Sequence, residues 1–370
     1  MNRFQVYAHH RQILEHIQKH TEKSVGLVLD IIKEDKGAIE DDDFDLLHKI
    51  LKHMRSCEHQ QCAPKHLAQE IRSCILSQLK YYKKPNYPLL VCLLDLVKNN
   101  SLDDTGWLIG LGCTLWYENS IYIVRKAMEL CLRAQEKIDK AEPTLFTNVI
   151  QYISNCQQYI TAQDITRFRS YEYTEFFYTE VNQVITCDRE CFRLLVQIVL
   201  SLLFKLSSGE MIMQLADKVQ EIYHLSSSEF LPVLFDICCT NDDSTTQLLN
   251  TVLLFFQEHP SSAQVIFESI NVNPHTLFIF FIHRCGNSHD ILVDLLLEND
   301  SGFLSYFYHY VVYIQKDITA FKLALTDETD INTIQTILAN TTRVLEGGGF
   351  PYNTKPLIKR LNRLEEQLLH

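Results

Sequence analysis

Turn-forming residues are scarce in this chain. Eleven glycines and nine prolines among 370 residues are too few for a strand-rich fold, which spends such residues on every tight turn. No Pro-, Gly- or Ser-rich stretch divides the chain into tethered halves. The length nevertheless exceeds the usual single compact core. A hydrophobic fraction of 46% spread along the whole chain therefore points to one continuous array over residues 1–370. Long apolar runs are missing as well. The longest uncharged one, Leu194 to Phe204 between Arg193 and Lys205, is about half the roughly 20 residues that a bilayer demands, so it reads as a buried core helix and no membrane association is expected. The first twenty residues hold no apolar core of a secretory signal. The twelve cysteines then read as reduced thiols, mostly small core hydrophobes, in the cytoplasm, the nucleus or both.

Basic residues are missing from one region in particular. The whole chain carries a formal charge of −12. Residues 206–310 hold thirteen acidic side chains against Lys218 and Arg284, a balance that leaves the remainder nearly neutral. Such a stretch repels phosphate backbones and excludes direct nucleic-acid binding through it. It is read as solvated outer helix faces, with a docking surface for a basic partner segment as the functional alternative.

What is present is helical periodicity. From Asn273 to Asp317, apolar residues recur at three- and four-residue steps, as in Phe303, Phe307, Tyr310, Val311 and Ile314. Asn273-Pro274 opens one helix, Gly286-Asn287-Ser288 closes it, and Asn299-Asp300-Ser301-Gly302 separates the next two. Each is apolar over too much of its circumference to stand alone and must bury against its neighbours in sequence. The same rhythm, with joints of a few residues, runs from about Arg3 onward, including a helix from Ser24 to about Glu34 and another from Asp103 to Tyr117. The fold class expected is all-α, an armadillo/HEAT-like α-solenoid of about 18–20 helices, with a period of roughly 40 residues.

Residues that could carry chemistry are few and poorly grouped. Asp41-Asp42-Asp43 lacks the alternating oxygens and terminal Glu of a calcium loop and reads as first-turn carboxylates of a helix. His53, Cys57, His59, Cys62 and His66 have separations that could enclose zinc. They match no recognised finger, and eight of the fifteen histidines lie in the first eighty residues, so they are read as loop residues with a structural metal as the alternative. Gly106, Gly110 and Gly112 have the outline of a phosphate loop without its strand or its lysine, and close helix packing accounts for them better. Tyr171, Tyr173, Phe176, Phe177 and Tyr178 crowd one stretch, as filling between repeats or as an exposed anchor. Neither Cys187 and Cys191 nor Cys238-Cys239 has redox spacing. No cofactor is expected.

The end of the chain is the most explicit motif. Gly347-Gly348-Gly349 ends a helix, Pro351 holds Phe350 extended, and Asn353 or Thr354 caps a last helix whose Leu357, Leu361, Leu364 and Leu368 form one apolar stripe. Residues 347–370 are expected to form a C-terminal capping segment, with Phe350 and Tyr352 anchored against the helix from Phe303 to Ile314. The stretch DILVDLLLENDSGFLSYFYHYVVYIQKD, together with Phe350-Pro351-Tyr352-Asn353 and the following KPLIKRL, resembles the C-terminal region of the Lines protein family from Asp290 onward. The chain is short for that family, and Gly302 stands where a cysteine is usual. The resemblance implies a regulator of developmental transcription and Wnt-type patterning that works by protein binding in nucleus and cytoplasm.

Two functions compete at this level. The favoured one is a non-enzymatic helical-repeat scaffold whose concave surface binds a partner peptide, with Phe350, Pro351, Tyr352 and Asn353 as a partner-binding or capping motif. The other is an all-helical enzyme with a site assembled from scattered residues. A deep pocket holding perturbed carboxylates or histidines would favour the enzyme, and a long shallow groove the scaffold.

Overall fold

The computed structural model describes residues 3–18, 28, 39–56, 65–102, 104–156, 189–206, 208–225, 230–267, 270–298, 302–325 and 328–369. Every regular element among them is a helix, and none of the described residues lies in a strand. Eighteen helices are described. The helix expected at Ser24 to Glu34 and the aromatic stretch at Tyr171–Tyr178 lie outside the described residues, apart from Val28.

The chain forms two compact units, Met1–Tyr152 with Arg169–Lys205, and Ile153–Phe168 with Leu206–His370. The first contains α1 (Arg3–Gln18), α2 (Asp41–Ser56), α3 (Lys65–Gln78), α4 (Tyr87–Lys98), α5 (Gly106–Cys113), α6 (Ile121–Glu136), most of α7 (Pro143–Cys156) and α8 (Arg189–Leu203). Most helices pack on partners close in sequence, α1 on α2, α2 and α3 on α4, and α4 and α5 on α6, while α6 also packs on the more distant α8. The second contains α9 (Gly209–Leu225), α10 (Phe230–Cys238), α11 (Asp242–Glu258), α12 (Pro260–Phe267), α13 (Pro274–Arg284), α14 (His289–Leu297), α15 (Phe303–Lys316), α16 (Ile318–Ala324), α17 (Glu328–Gly347) and α18 (Lys355–Leu369). There α11 packs on α12, α13 and α15, α13 on α16, α14 on α17, and α18 on both α15 and α17.

Local chemistry sets the helix starts. Asn241 accepts the Ser244 amide at 2.8 Å while the Ser244 hydroxyl accepts the Asn241 amide at 3.2 Å, a reciprocal cap at the head of α11. Asn273 accepts the amides of His275 and Thr276, at 2.9 and 3.0 Å, with Pro274 in the first turn where its missing N–H costs nothing. Asp41, Asp42 and Asp43 occupy the first turn of α2, where a helix N-terminus favours negative charge.

The helix expected from Asp103 to Tyr117 is shorter, Gly106–Cys113. Beyond it the Leu115, Trp116 and Glu118 amides donate three residues back instead of four, to Gly112, Cys113 and Leu115. That tighter winding turns Trp116 into the core against Tyr152, with ring centres 5.3 Å apart, while Trp107 stays exposed. Of the three glycines here only Gly112 is required by packing. A methyl on it would lie 2.5 Å from the Cys131 sulfur and 3.1 Å from the Ala127 carbonyl oxygen on α6, whereas Gly110 has open space. Gly112→Ala is expected to destabilise the protein by about 1–3 kcal/mol in urea unfolding. Gly110→Ala should be neutral or slightly stabilising in the same experiment.

Candidate functional site

The turn after α17 brings the expected C-terminal motif together. Gly348 and Gly349 take φ of 80° and 93°, the left-handed region that glycine enters without strain. The Phe350 and Tyr352 rings then lie 5.7 Å apart. Asn353 accepts the Lys355 amide at 3.1 Å and opens α18, and the Thr354 hydroxyl donates to the Leu345 carbonyl at the end of α17. The Tyr352 hydroxyl donates to the Leu296 carbonyl at 2.8 Å. That carbonyl belongs to the last turn of α14, which has no acceptor role left within its own helix. Burial raises the Tyr352 phenol to about 12. The Tyr352 hydroxyl is therefore anchored on the end of α14, a partner that the sequence, which suggested the helix from Phe303 to Ile314, did not single out. A carbonyl left over at a helix end offers a hydrogen bond that an aromatic face on α15 cannot. It is α18 itself that meets α15, through its buried Leu357, Leu361, Leu364 and Leu368 and a reciprocal pair in which Gln315 donates to the Arg360 carbonyl at 2.6 Å and accepts from the Arg360 guanidinium at 3.2 Å.

Sequence reasoning passed over His275. It lies in the first turn of α13, 5% exposed, with its Nδ1 3.4 Å from the Tyr310 hydroxyl and its ring 5.3 and 5.4 Å from Tyr313 and Phe321. Desolvation lowers its pKa to about 4 against a smaller opposing pull from Asp317. The folded state thus holds a neutral imidazole. Below pH 6.5 the unfolded chain takes up the proton first, so His275 subtracts stability progressively between about pH 6.5 and 4. Urea unfolding of wild type and His275→Gln at pH 7 and pH 4.5 should show the wild type losing about 2–3 kcal/mol more than the variant.

A second buried network was also missed. Asp95, 3% exposed on α4, meets His48 Nδ1 at 2.5 Å and the Arg55 guanidinium at 3.2 Å, both from α2. Nearby, Glu129 on α6 accepts from Lys98 at 2.7 Å and Lys126 at 2.9 Å. Burial pushes the Glu129 carboxyl up, yet the two ammonium groups outweigh it and hold it at about 2. The signal available was a lone carboxylate inside the apolar run YPLLVCLLDLVK: a buried acid must be paired. Both clusters join helices; Asp95 is buried, His48, Glu129, Lys98 and Lys126 are half-buried, and Arg55 is exposed.

Cys57, His59 and Cys62 lie outside the described residues, as does the side chain of His66, while His53 is half-buried near the end of α2. Among the described residues no group of three or more His, Cys, Asp or Glu is arranged to hold a metal. Of the described cysteines, six are buried and Cys239 and Cys285 are half-buried. No described helix is long and apolar enough to cross a membrane. In the acidic stretch both cations are already engaged, Lys218 with Glu221 at 2.7 Å and Arg284 with Asp236. Glu210, Asp217, Asp243, Glu258 and Asp294 all face solvent there.

A protein-family profile described as Lines N-terminus matches residues 244–324, from the first turn of α11 to the end of α16. A human protein named Protein Lines homolog 1 is 40% identical over 45 residues, 12% of this chain and 6% of that protein. The matched part is thus a small fraction of that relative's length. No solved structure matches. The resemblance read from sequence begins at Asp290 and was placed in the family's C-terminal region. The matching profile is that of the N-terminal part, begins at Ser244 and ends before Phe350-Pro351-Tyr352-Asn353. Residues 244–324 are thus similar to the N-terminal part of the Lines family.

Proposed function

We propose that this protein is a non-enzymatic scaffold that binds partner proteins, its helices ordered as an armadillo-like α-solenoid. The observation that carries the reading is the uncompensated acidity of residues 206–310: thirteen carboxylates against two cations, each of those cations already engaged by an acidic neighbour. Such a surface favours a basic segment of a partner and speeds its encounter. Packing of helices against near neighbours in sequence within each unit supports repeat order, which builds extended binding faces. The Lines segment from Ser244 to Ala324 overlaps this acidic surface. It supports a role like that of the Lines family in developmental transcription and Wnt-type signalling, in the cytoplasm and nucleus.

The test is zero-length crosslinking of the full chain in cell extract, which joins carboxylates to lysines, followed by mass spectrometry and affinity measurement on the recovered partner. Crosslinks should fall within residues 206–310, and affinity should drop at least tenfold between low and high salt, because exposed charges are screened within about 8 Å at physiological ionic strength. An affinity that does not move with salt would reduce the acidity to a solubilising role.

A further inference from the structure

α18 buries one side and leaves the other without a neighbour. At roughly 100° per residue, Leu357, Leu361, Leu364 and Leu368 share the face turned to α15 and α17. Lys355, Lys359, Asn362 and Glu366 lie diametrically opposite, with Ile358 and Arg363 flanking them. Those six residues line a shallow open depression of about 560 Å³. Lys355, Lys359 and Arg363 are exposed, and among the described residues none of them has a carboxylate within ion-pair distance. Some cations elsewhere in this protein are neutralised, as with Lys84 and Glu118, Lys98 and Glu129, and Arg193 and Glu190. On α18 three exposed cations stand in one row, which makes this face locally positive in a chain of net charge −12.

We infer that the outer face of α18 is a docking surface for an acidic, Asp- or Glu-rich segment of a partner protein. The three cations follow one another at successive turns, about 6 Å apart along the helix axis, a spacing that an extended peptide matches with every second side chain. Half-buried Ile358 supplies an apolar floor. Asn362 offers both a donor and an acceptor to a peptide backbone. Glu366 closes one end and accepts from a backbone or hydroxyl donor. The same carboxylate, and the acidity of the whole chain, disfavour a polyphosphate backbone, which needs many cations and no nearby anion. The surface is separate from the acidic stretch of the preceding section and holds whether or not that stretch binds a basic partner.

The experiment uses the full chain and a fluorescein-labelled glutamate-rich peptide read by fluorescence anisotropy. The same peptide with glutamine for glutamate, a single-stranded oligonucleotide and phosphatidylserine vesicles serve as the other arms. Saturable binding of the glutamate peptide is expected, lost with the glutamine version and weakened about tenfold by Lys359→Glu with Arg363→Glu, at an unchanged melting temperature because both side chains are exposed. If that pair disturbs folding, Lys359→Gln with Arg363→Gln replaces it and should weaken binding severalfold. No saturable binding, or binding indifferent to both pairs, overturns the proposal. So does tighter binding of the oligonucleotide or the vesicles, which would make the face a phosphate-binding one.

Discussion

Leu361→Asp should lower the midpoint of thermal unfolding by roughly 10 °C or more. Leu361 is 0% exposed at the centre of the α18 stripe. The substitution forfeits about 1.5–3 kcal/mol of leucine burial and forces a carboxylate either to desolvate or to lift the helix from its bed. A loss of about 4–5 kcal/mol corresponds to roughly 10–20 °C for a unit of this size. Ending the chain at Glu346 should act in the same direction and also uncover the faces of α15 and α17 that α18 covers, raising the fluorescence of an apolar dye. Differential scanning fluorimetry measures both. Unchanged melting of the truncated protein would mean that residues 347–370 contribute no fold energy and serve as a detachable motif.

Asp95→Ala should cost about 1–3 kcal/mol in urea unfolding, the penalty for leaving a buried hydrogen-bonding partner unsatisfied. The carboxylate meets two groups from α2, so its removal leaves the half-buried His48 ring without its partner and returns the exposed Arg55 guanidinium to water. Asp95→Asn keeps the shape and one acceptor and should cost less. A loss below about 1 kcal/mol for the alanine variant would show that water reaches His48 and Arg55 once the carboxylate is gone.

Both residues show where sequence reading succeeds and where it stops. The leucine stripe of α18, the Asn273 cap and the Asp41–Asp43 first turn depend on residues within four positions of one another, so periodicity and capping chemistry expose them. The partners of Asp95 lie 47 and 40 residues away, that of His275 is 35 away, and that of Tyr352 is 56 away. Nothing in local spacing selects those pairs, because which helix lies beside which is decided by packing of whole faces. The turn at Gly347–Asn353 was legible as a turn for the same local reason, while its anchor on the α14 carbonyl was not. The Lines resemblance was legible from Asp290 because that segment is rich in spaced leucines and aromatics. The matched region also takes in α11–α13, where the apolar pattern resembles that of any buried helix.

The join between α6 and α8 bears on how the first unit is assembled. Lys205, just past α8, donates to the Gln135 carbonyl at 2.5 Å across 70 residues of chain and accepts from the Ala141 amide, and α6 packs directly on α8. The other described joints of that unit link helices much nearer in sequence. Closing a loop about seven times longer than a ten-residue joint costs an additional 1–2 kcal/mol or so of chain entropy, which no local contact repays in advance. During synthesis α1–α7 leave the ribosome while the α8-facing side of α6 is still bare, and residues 153–168, which belong to the other unit, are made before α8 arrives. The order of the chain and the order of the units are thus interleaved, so a fragment cut at Tyr152 lacks the helix that completes its own core.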